Sequence, residues 1–367
     1  MDCQVIRLAE VRVTQEQEQA VISVLRSGQL AMGQHTKEVE LRLSSLLGGA
    51  HCVAVSNGTV GLTLAMAAAG VGPGRDVVTT AFSFIGTIEP VIQLGASPVF
   101  VDVDMDTGNL DIAQVEAALS ERTAAIVPVH LYGRPVDMTA LRSIADRWRI
   151  PIIEDACQAI GAKHVDGSMV GSSGIAVFSF YGSKNVTCGE GGLVATSAPE
   201  VAERVRLLRN HGSGVAYEHQ AIGYNGRMTD IQAALLQSTV DRVGAVTRDR
   251  RAHARYYDQS VHNPHLVKPP WSEADGNCWH QYTVRTHSEA ARDKLRAWAL
   301  QLGVETRVYY PTALSALPLV RKLGFGRSCP RAVALSKTVV SVPVRESLSE
   351  SEVVQVGEVL DGWRPDL

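Results

Sequence analysis

The sequence predicts an α/β protein whose larger part is a doubly wound, mostly parallel sheet. Three observations carry that reading. Between residues 52 and 196, seven short apolar runs of strand length recur. Most of them are separated by helical segments, and alternation of this kind gives a sheet covered by helices on both faces. Beyond residue 228 the alternation stops. A long helix, a Pro-rich polar stretch and two separate strands follow, as expected of a second, smaller α+β unit. The expected division is 1–245 for the large unit and 246–367 for the small one, with the boundary in the helical region near 240–260.

The elements follow in order. Thr14-Gln15-Glu16-Gln17 has the pattern of a capping box and opens a helix to about residue 26, which Ser27-Gly28 ends. A second helix covers about 36–47. Strands are expected at 52–56, 76–80, 98–103, 124–129, 151–154, 175–180 and 192–196. The first is followed by an apolar helix to 69, the second by a helix to about 94, and further helices fall near 111–119 and 138–147. One long helix is expected from 229 to about 257, then a Pro-rich loop over 262–277. A strand over 278–286, a helix over 290–302 and a strand over 338–342 come next. Ser349-Glu350-Ser351-Glu352 caps a final helix through 359.

Composition excludes several classes. The 367 residues are 45 % hydrophobic and 20 % charged, with a formal net charge of -3, ordinary for a soluble globular chain. Near-neutral charge gives no reason to expect a nucleic-acid partner. The cysteines at 3, 52, 157, 188, 278 and 329 form no Cys-x-x-Cys pair, so neither a metal site nor a disulfide framework is expected. Cys188, close in sequence to Lys184, is read as a space-filling residue, with a reactive thiol as the alternative. No apolar run approaches membrane-spanning length, and residues 1–13 alternate charged and apolar residues, unlike a signal peptide. The expectation is a cytoplasmic enzyme with no membrane partner.

Three short segments carry chemistry. In Phe178-Ser179-Phe180-Tyr181-Gly182-Ser183-Lys184-Asn185 an apolar strand ends in a single lysine, and the glycine-rich turn Gly189-Glu190-Gly191-Gly192 follows. A lysine at the exit of a buried strand is partly desolvated, which favours the neutral amine that attacks a carbonyl. In Ile152-Ile153-Glu154-Asp155-Ala156-Cys157-Gln158-Ala159, Asp155 sits just past the end of a buried strand, where open α/β sheets place ligands. A carboxylate there can hold a proton on a pyridine nitrogen, or cap a helix, or both. In His51-Cys52-Val53-Ala54-Val55-Ser56-Asn57-Gly58-Thr59 a strand feeds a small-residue turn into a helix, whose free amides suit a phosphate. It is neither a Walker loop nor a dinucleotide fingerprint. A phosphate cradle, an aspartate for a ring nitrogen and a lysine for an aldehyde together fit pyridoxal 5′-phosphate (PLP).

These segments occur in order with Ser27-Gly28-Gln29-Leu30, the run from Gly95 to Asp102, Val129-His130-Leu131-Tyr132-Gly133 and Gly223-Tyr224-Asn225-Gly226-Arg227-Met228. Over nearly its whole length the chain resembles the DegT/StrS-like sugar aminotransferases, a branch of the fold-type I PLP enzymes. The resemblance implies a large domain with a seven-stranded mixed sheet and a homodimer with shared active sites. It implies that Lys184 anchors the cofactor and then moves the proton between the donor's Cα and the cofactor. Gln158 would reach the phenolic oxygen. Gly58, Thr59 and Ser179 would hold phosphate, with a locally bonded strand hydroxyl as the alternative for Ser179. Phe84 would cover the pyridine ring, against the alternative of a core aromatic. Asn225 would enter the neighbouring subunit's site, with Arg227 adding charge or bracing the turn. Arg307, Tyr309 and Tyr310 occupy the segment that contacts substrate. His130, His211 and His280 are read as structural hydrogen-bonders.

Thr187-Cys188-Gly189-Glu190-Gly191-Gly192 is similar to the form carried by nucleotide-sugar 4-aminotransferases such as perosamine synthase. This implies a nucleotide-linked 4-keto-6-deoxy sugar as acceptor and L-glutamate or glutamine as donor. Tyr310-Pro311-Thr312-Ala313-Leu314-Ser315 departs from the family's usual Tyr-x-Pro followed by Leu-His. The alternatives are a cyclitol or other carbocyclic ketone as acceptor, or a PLP-binding regulatory protein. A dehydratase on the same scaffold would carry histidine in place of Lys184.

Overall fold

The computed structural model describes residues 5–215, 217–272 and 274–366. Cys3 lies outside the described residues; Cys52, Cys157, Cys188, Cys278 and Cys329 are free thiols. No helix among the described residues is long and apolar enough to cross a membrane.

Seven strands build the large sheet: β1 His51–Val55, β2 Asp76–Thr80, β3 Ser97–Val101, β4 Thr123–Val127, β5 Ile153–Asp155, β6 Ile175–Ser179 and β7 Gly192–Thr196. Ladders give the orders β3-β2-β4 and β1-β7-β6-β5. Parallel bridges Ile126–Ile152 and Val129–Asp155 join β4 to β5, so the sheet is continuous. Only β7 runs antiparallel, pairing with β1 and β6. The carboxyl ends of β1, β5 and β6 therefore meet at one edge, and that edge carries the site.

Side-chain alternation explains the two layers. On β6, Ala176 and Phe178 pack with Leu43, Leu47 and Leu236, while Ile175 and Val177 pack with Leu62, Leu64 and Val205 on the other face. The helix Gly58–Ala68 supplies Leu62 and Leu64 to that second face, and Asn57 caps it by accepting the Val60 N–H at 2.9 Å. The helix Gln15–Ser27 has its capping box on Thr14, and Gly28 ends it with φ 71, a left-handed angle that costs glycine nothing.

A separate apolar cluster holds the C-terminal part. Tyr257, Trp279, Tyr282, Val340, Val356 and Trp363 are buried together around the antiparallel pair Tyr282–Arg285 and Val339–Val342, and Ile6 from the other end of the chain joins them.

Several expectations require correction. The single helix expected over 229–257 is two, Asp230–Val240 and Val243–Ser260. The first packs on the helices Gln15–Ser27 and Gln34–Leu46, the second on the final helix Glu350–Gly362, and one straight rod cannot serve both. The helix near 111–119 is instead two 3₁₀ turns, Ile112–Gln114 and Glu116–Ala118. Only Val115 and Leu119 are buried there, too narrow a face to hold an α-helix. The helix expected to end near 94 shrinks to the 3₁₀ turn Ile85–Thr87 and the short helix Glu89–Gln93, which restarts with Pro90 in its first turn. The strand expected over 278–286 is only Tyr282–Arg285. No helix follows Asp155: residues 156–161 are turns. Asp155 is therefore no helix cap. The helices Pro199–Arg209, Pro318–Lys322 and Pro330–Thr338 were not anticipated from sequence.

Candidate active site

The carboxyl edge of the sheet opens into a cavity of about 1190 Å³. Gly58, Thr59, Phe84, Asp155, Gln158, Ser179, Lys184, Arg307, Tyr309 and Tyr310 all line it. Asn225 does not: it is exposed, on a segment that bridges back to Asn210. Arg227 donates to Asn210 Oδ1 at 2.7 Å and braces that same turn.

Register explains the convergence. Val55 of β1 and Ser179 of β6 both pair with Gly192 of β7. A Cβ on Gly192 would lie 2.6 Å from the Asn57 carbonyl and 2.9 Å from the Gly58 nitrogen. Glycine at this position is what lets the turn before the helix Gly58–Ala68 settle against the sheet, beside Ser179. No protein acceptor meets the Gly58 and Thr59 N–H groups among the described residues. Ser179 Oγ takes only the Tyr181 N–H, at 3.3 Å. A Cβ on Gly58 would meet Cys157 Sγ at 2.9 Å and Ser179 Cβ at 3.0 Å. Gly58→Ala is therefore expected to displace both side chains, destabilise the protein by about 1–3 kcal/mol and weaken PLP affinity at least about tenfold. Thermal melting and PLP titration of the variant check this; unchanged affinity would remove Gly58 from the cradle.

Lys184 follows a turn in which its N–H donates to the Tyr181 carbonyl at 2.9 Å. Its side chain is half-buried and faces the cavity. Burial holds its amine below the ordinary lysine value; the Cys157 sulfur and the Asp155 carboxylate only partly offset this. The neutral, nucleophilic form is thus more accessible than in an ordinary lysine. Burial pushes the Cys157 thiol far up, so it stays protonated and is no rival nucleophile.

Asp155 ends β5 and is buried. Its Oδ2 accepts from Thr87 Oγ1 at 2.8 Å and its Oδ1 from the Cys157 N–H at 3.2 Å. Gln158 is held at both ends: Oε1 accepts the Tyr132 N–H at 2.7 Å, and Nε2 donates to Tyr310 Oη at 3.0 Å. Burial and the Asp155 charge push the Tyr310 phenol upward, so it remains protonated. Phe84 is 55 % exposed, unusual for an unliganded aromatic, and tilts against Tyr310 with ring centroids 6.0 Å apart. At the mouth, Arg307 pairs with Glu305 at 2.9 Å.

Behind Asp155 lies a second carboxylate. Glu154 Oε2 sits 2.9 Å from His130 Nε2 and 3.5 Å from His164 Nε2, all buried. Burial alone would raise Glu154, but the hydrogen bond with His130 and the nearby His164 imidazole overcome it and hold the group at about 2 instead of 4.5. A folded-state value below the unfolded one means stability present above about 4.5 and lost as pH falls through about 2. At 1.36 kcal/mol per unit this amounts to about 3 kcal/mol. Glu154→Gln should flatten that acid limb in urea unfolding followed against pH, and an unchanged slope would show that Glu154 does not carry it.

Sequence reasoning missed several lining groups. Thr87, which holds Asp155, lies in no motif. His280 lines the cavity. Asn185 donates its Nδ2 to the Cys278 carbonyl, so its Oδ1 accepts the His280 Nδ1–H at 3.0 Å, leaving Nε2 as an acceptor. Burial keeps the imidazole neutral, aided by the nearby Lys184 and Arg250 charges. Leu8, Ala9 and Val11 also line the cavity, because Ile6 pairs with Val304 and the Leu8 N–H donates to Glu305 Oε2 at 3.0 Å. Distant pairing of this kind leaves no local signal.

The donor set fits PLP: a nucleophilic amine, a buried carboxylate, unused amides at a helix start and an exposed aromatic face in one cavity. Comparison with known proteins agrees. The DegT/DnrJ/EryC1/StrS aminotransferase family profile matches residues 11–361. The chain is 40 % identical over 342 residues to a pleiotropic regulatory protein of Geobacillus stearothermophilus, covering 91 % of each. It is 35 % identical over 361 residues to the dTDP-3-amino-3,4,6-trideoxy-alpha-D-glucose transaminase of Streptomyces venezuelae, covering 98 % of this chain and 94 % of that one. Its structure is similar to Spr1654 of Streptococcus pneumoniae, described as a sugar aminotransferase and solved in its PLP form, with a TM-score of 0.91, 27 % identity and 98 % of each chain covered. The chain belongs to the DegT/DnrJ/EryC1/StrS aminotransferase family, and it is an aminotransferase.

Proposed function

We propose that the chain uses PLP to transfer an amino group from L-glutamate to a nucleotide-linked keto sugar. The observation that carries this reading is the cavity itself. At about 1190 Å³ it exceeds a typical small-ligand pocket of roughly 300–1,000 Å³. It joins Lys184 and Asp155 to a mouth bearing Arg307, Glu305 and Tyr309, which suits a long anionic substrate. The nucleotide-sugar relative supports the same substrate class.

The bound cofactor supplies an electron sink for the negative charge left when the donor's Cα loses its proton. The chain's residues do the rest. Lys184 Nζ anchors, then holds and moves the proton at Cα. Asp155, fixed by Thr87, keeps a proton on the ring nitrogen. The Gly58 and Thr59 N–H groups and Ser179 Oγ hold the phosphate. Gln158 Nε2 has one hydrogen beyond that given to Tyr310, and it donates this to the phenolic oxygen. Phe84 covers the ring face. Arg307 meets the anionic part of the substrate.

We assign the acceptor as a 4-keto-6-deoxy sugar on the Thr187–Gly192 turn. The S. venezuelae relative is named for a 3-amino product, so C3 amination is the alternative. Incubating the pure, PLP-loaded protein with L-glutamate and a panel of 3-keto and 4-keto nucleotide sugars, with aminated product read by mass, tests both. No amination of any of them would overturn the reading. A cyclitol ketone in the same panel covers the carbocyclic alternative.

The working unit in this reading is a homodimer with shared sites. Asn225 sits outside its own cavity, and Tyr217, Ile222 and Tyr224 on the same segment are exposed apolar groups suited to cover by a second copy. In mixed dimers of Lys184→Ala chains with chains mutated at Asn225, one site keeps both residues, so about a quarter to a half of wild-type activity should return. Absence of rescue in verified mixed dimers, with each variant inactive alone, would place Asn225 in its own chain's structure only.

A further inference from the structure

Segment 128–136 crosses the carboxyl end of β5, and His130 within it is wholly buried. Its main-chain N–H donates to the Asp155 carbonyl at 3.1 Å. Both ring nitrogens are engaged. Nδ1 accepts the Val136 N–H at 3.0 Å, so it carries no proton. The ring proton of the neutral imidazole is then on Nε2 and is donated to Glu154 Oε2 at 2.9 Å. One residue thus ties two consecutive positions of β5 to both arms of a loop.

Between those arms lies Tyr132 at φ 58. A tyrosine holds such an angle only where its surroundings fix it. Here its N–H donates to Gln158 Oε1 at 2.7 Å and its hydroxyl to the Tyr309 carbonyl. Gln158 has two polar ends, and the Tyr132 N–H decides which of them faces away from the cavity. If that amide moved, the side chain could turn and present its oxygen where it now presents a donor.

We propose that His130 is a positioning residue: by closing the loop at Val136 onto β5 it fixes the Tyr132 amide, and through it the donor orientation of Gln158 in the active site. The motif Val129-His130-Leu131-Tyr132-Gly133 then serves the site without touching the reacting atoms. The inference rests on the PLP reading only where Gln158 meets the phenolic oxygen.

Two readouts test it on His130→Phe, which keeps a flat ring and loses both ring hydrogen bonds. In the cofactor-free protein, hydrogen exchange at the Tyr132 amide should rise about tenfold, as expected for loss of a hydrogen-bonded anchor. In the PLP-loaded protein, the pH midpoint of the visible absorption band should move by about one unit. It should move in the same direction as in Gln158→Leu, with no further shift in the double variant. Should His130→Phe fail to fold, His130→Leu, which has neither a donor for Glu154 nor an acceptor for the Val136 N–H, should show the same rise in exchange. Unchanged Tyr132 exchange in a folded variant overturns the proposal. So does a midpoint that moves in Gln158→Leu but not in His130→Phe. If Gln158→Leu leaves the midpoint in place, the contact between Gln158 and the cofactor is refuted, and the exchange result alone decides the role of His130.

Discussion

Lys184→Ala should leave a folded protein that has lost at least about four orders of magnitude in turnover, a size set by removing the acid–base group together with the anchor. The structure supports both duties for one side chain. The amine faces the cavity, burial holds its pKa below the ordinary lysine value, and the cavity-lining Cys157 is kept as a thiol. Little of the fold depends on it: Lys184 is half-buried, and the turn it follows is held by its main-chain N–H, which alanine retains. Melting temperature should therefore change little while kcat collapses. Borohydride treatment of the wild-type holoenzyme should fix the cofactor on the peptide that contains Lys184. A label on another lysine, or residual turnover within a hundredfold of wild type, would remove Lys184 from the chemistry.

Asp155→Asn is expected to lower kcat by about 10²–10³-fold, the size seen when one preorganised electrostatic partner is lost. Asparagine keeps one oxygen to accept the Cys157 N–H, and its Nδ2 takes the place of the oxygen that accepts from Thr87 Oγ1, a hydroxyl that can turn to accept instead. What disappears is the negative charge that, in the proposed reading, keeps a ring nitrogen protonated. The variant should retain its fold and bind some PLP. Because no helix begins at Asp155, loss of a cap cannot account for a defect. A kcat near that of wild type would therefore refute the electronic role directly. Thr87→Val, which removes one of the carboxylate's two partners, should give a smaller loss in the same direction.

What the sequence discloses follows from how far each interaction reaches. Strands β1 to β7 were legible because each is a short apolar run bounded by polar or glycine-rich turns, and most boundaries fall within two residues of expectation. The cavity-lining residues Gly58, Asp155, Ser179 and Lys184 were legible because each closes or follows such a run. Tyr132, Thr87 and His280 were not found as site residues, because their partners are far away in the chain: Thr87 meets Asp155 across 68 positions and Tyr132 meets Tyr309 across 177. The division of the helix after Thr229 was equally invisible. Neither glycine nor proline marks Asp241-Arg242, and only the different neighbours of the two halves require a break there. Helices opened by Pro199, Pro318 and Pro330 were overlooked although proline in a first turn is a start signal.

The pairing of Ile6 with Val304 also sets a timetable. Leu8 and Glu305 are separated by 297 positions, yet their hydrogen bond closes one wall of the cavity. At a synthesis rate of about 5–20 residues per second, the first of these partners waits roughly 15–60 seconds on the ribosome for the second. The seven strands are complete by Thr196, so the sheet can assemble in that interval while the wall over its carboxyl edge is missing. The nascent chain thus passes through a stage in which the apolar residues around Ile6 have no core to join. The cavity wall that carries Glu305 is therefore among the last parts of the site that synthesis allows to close.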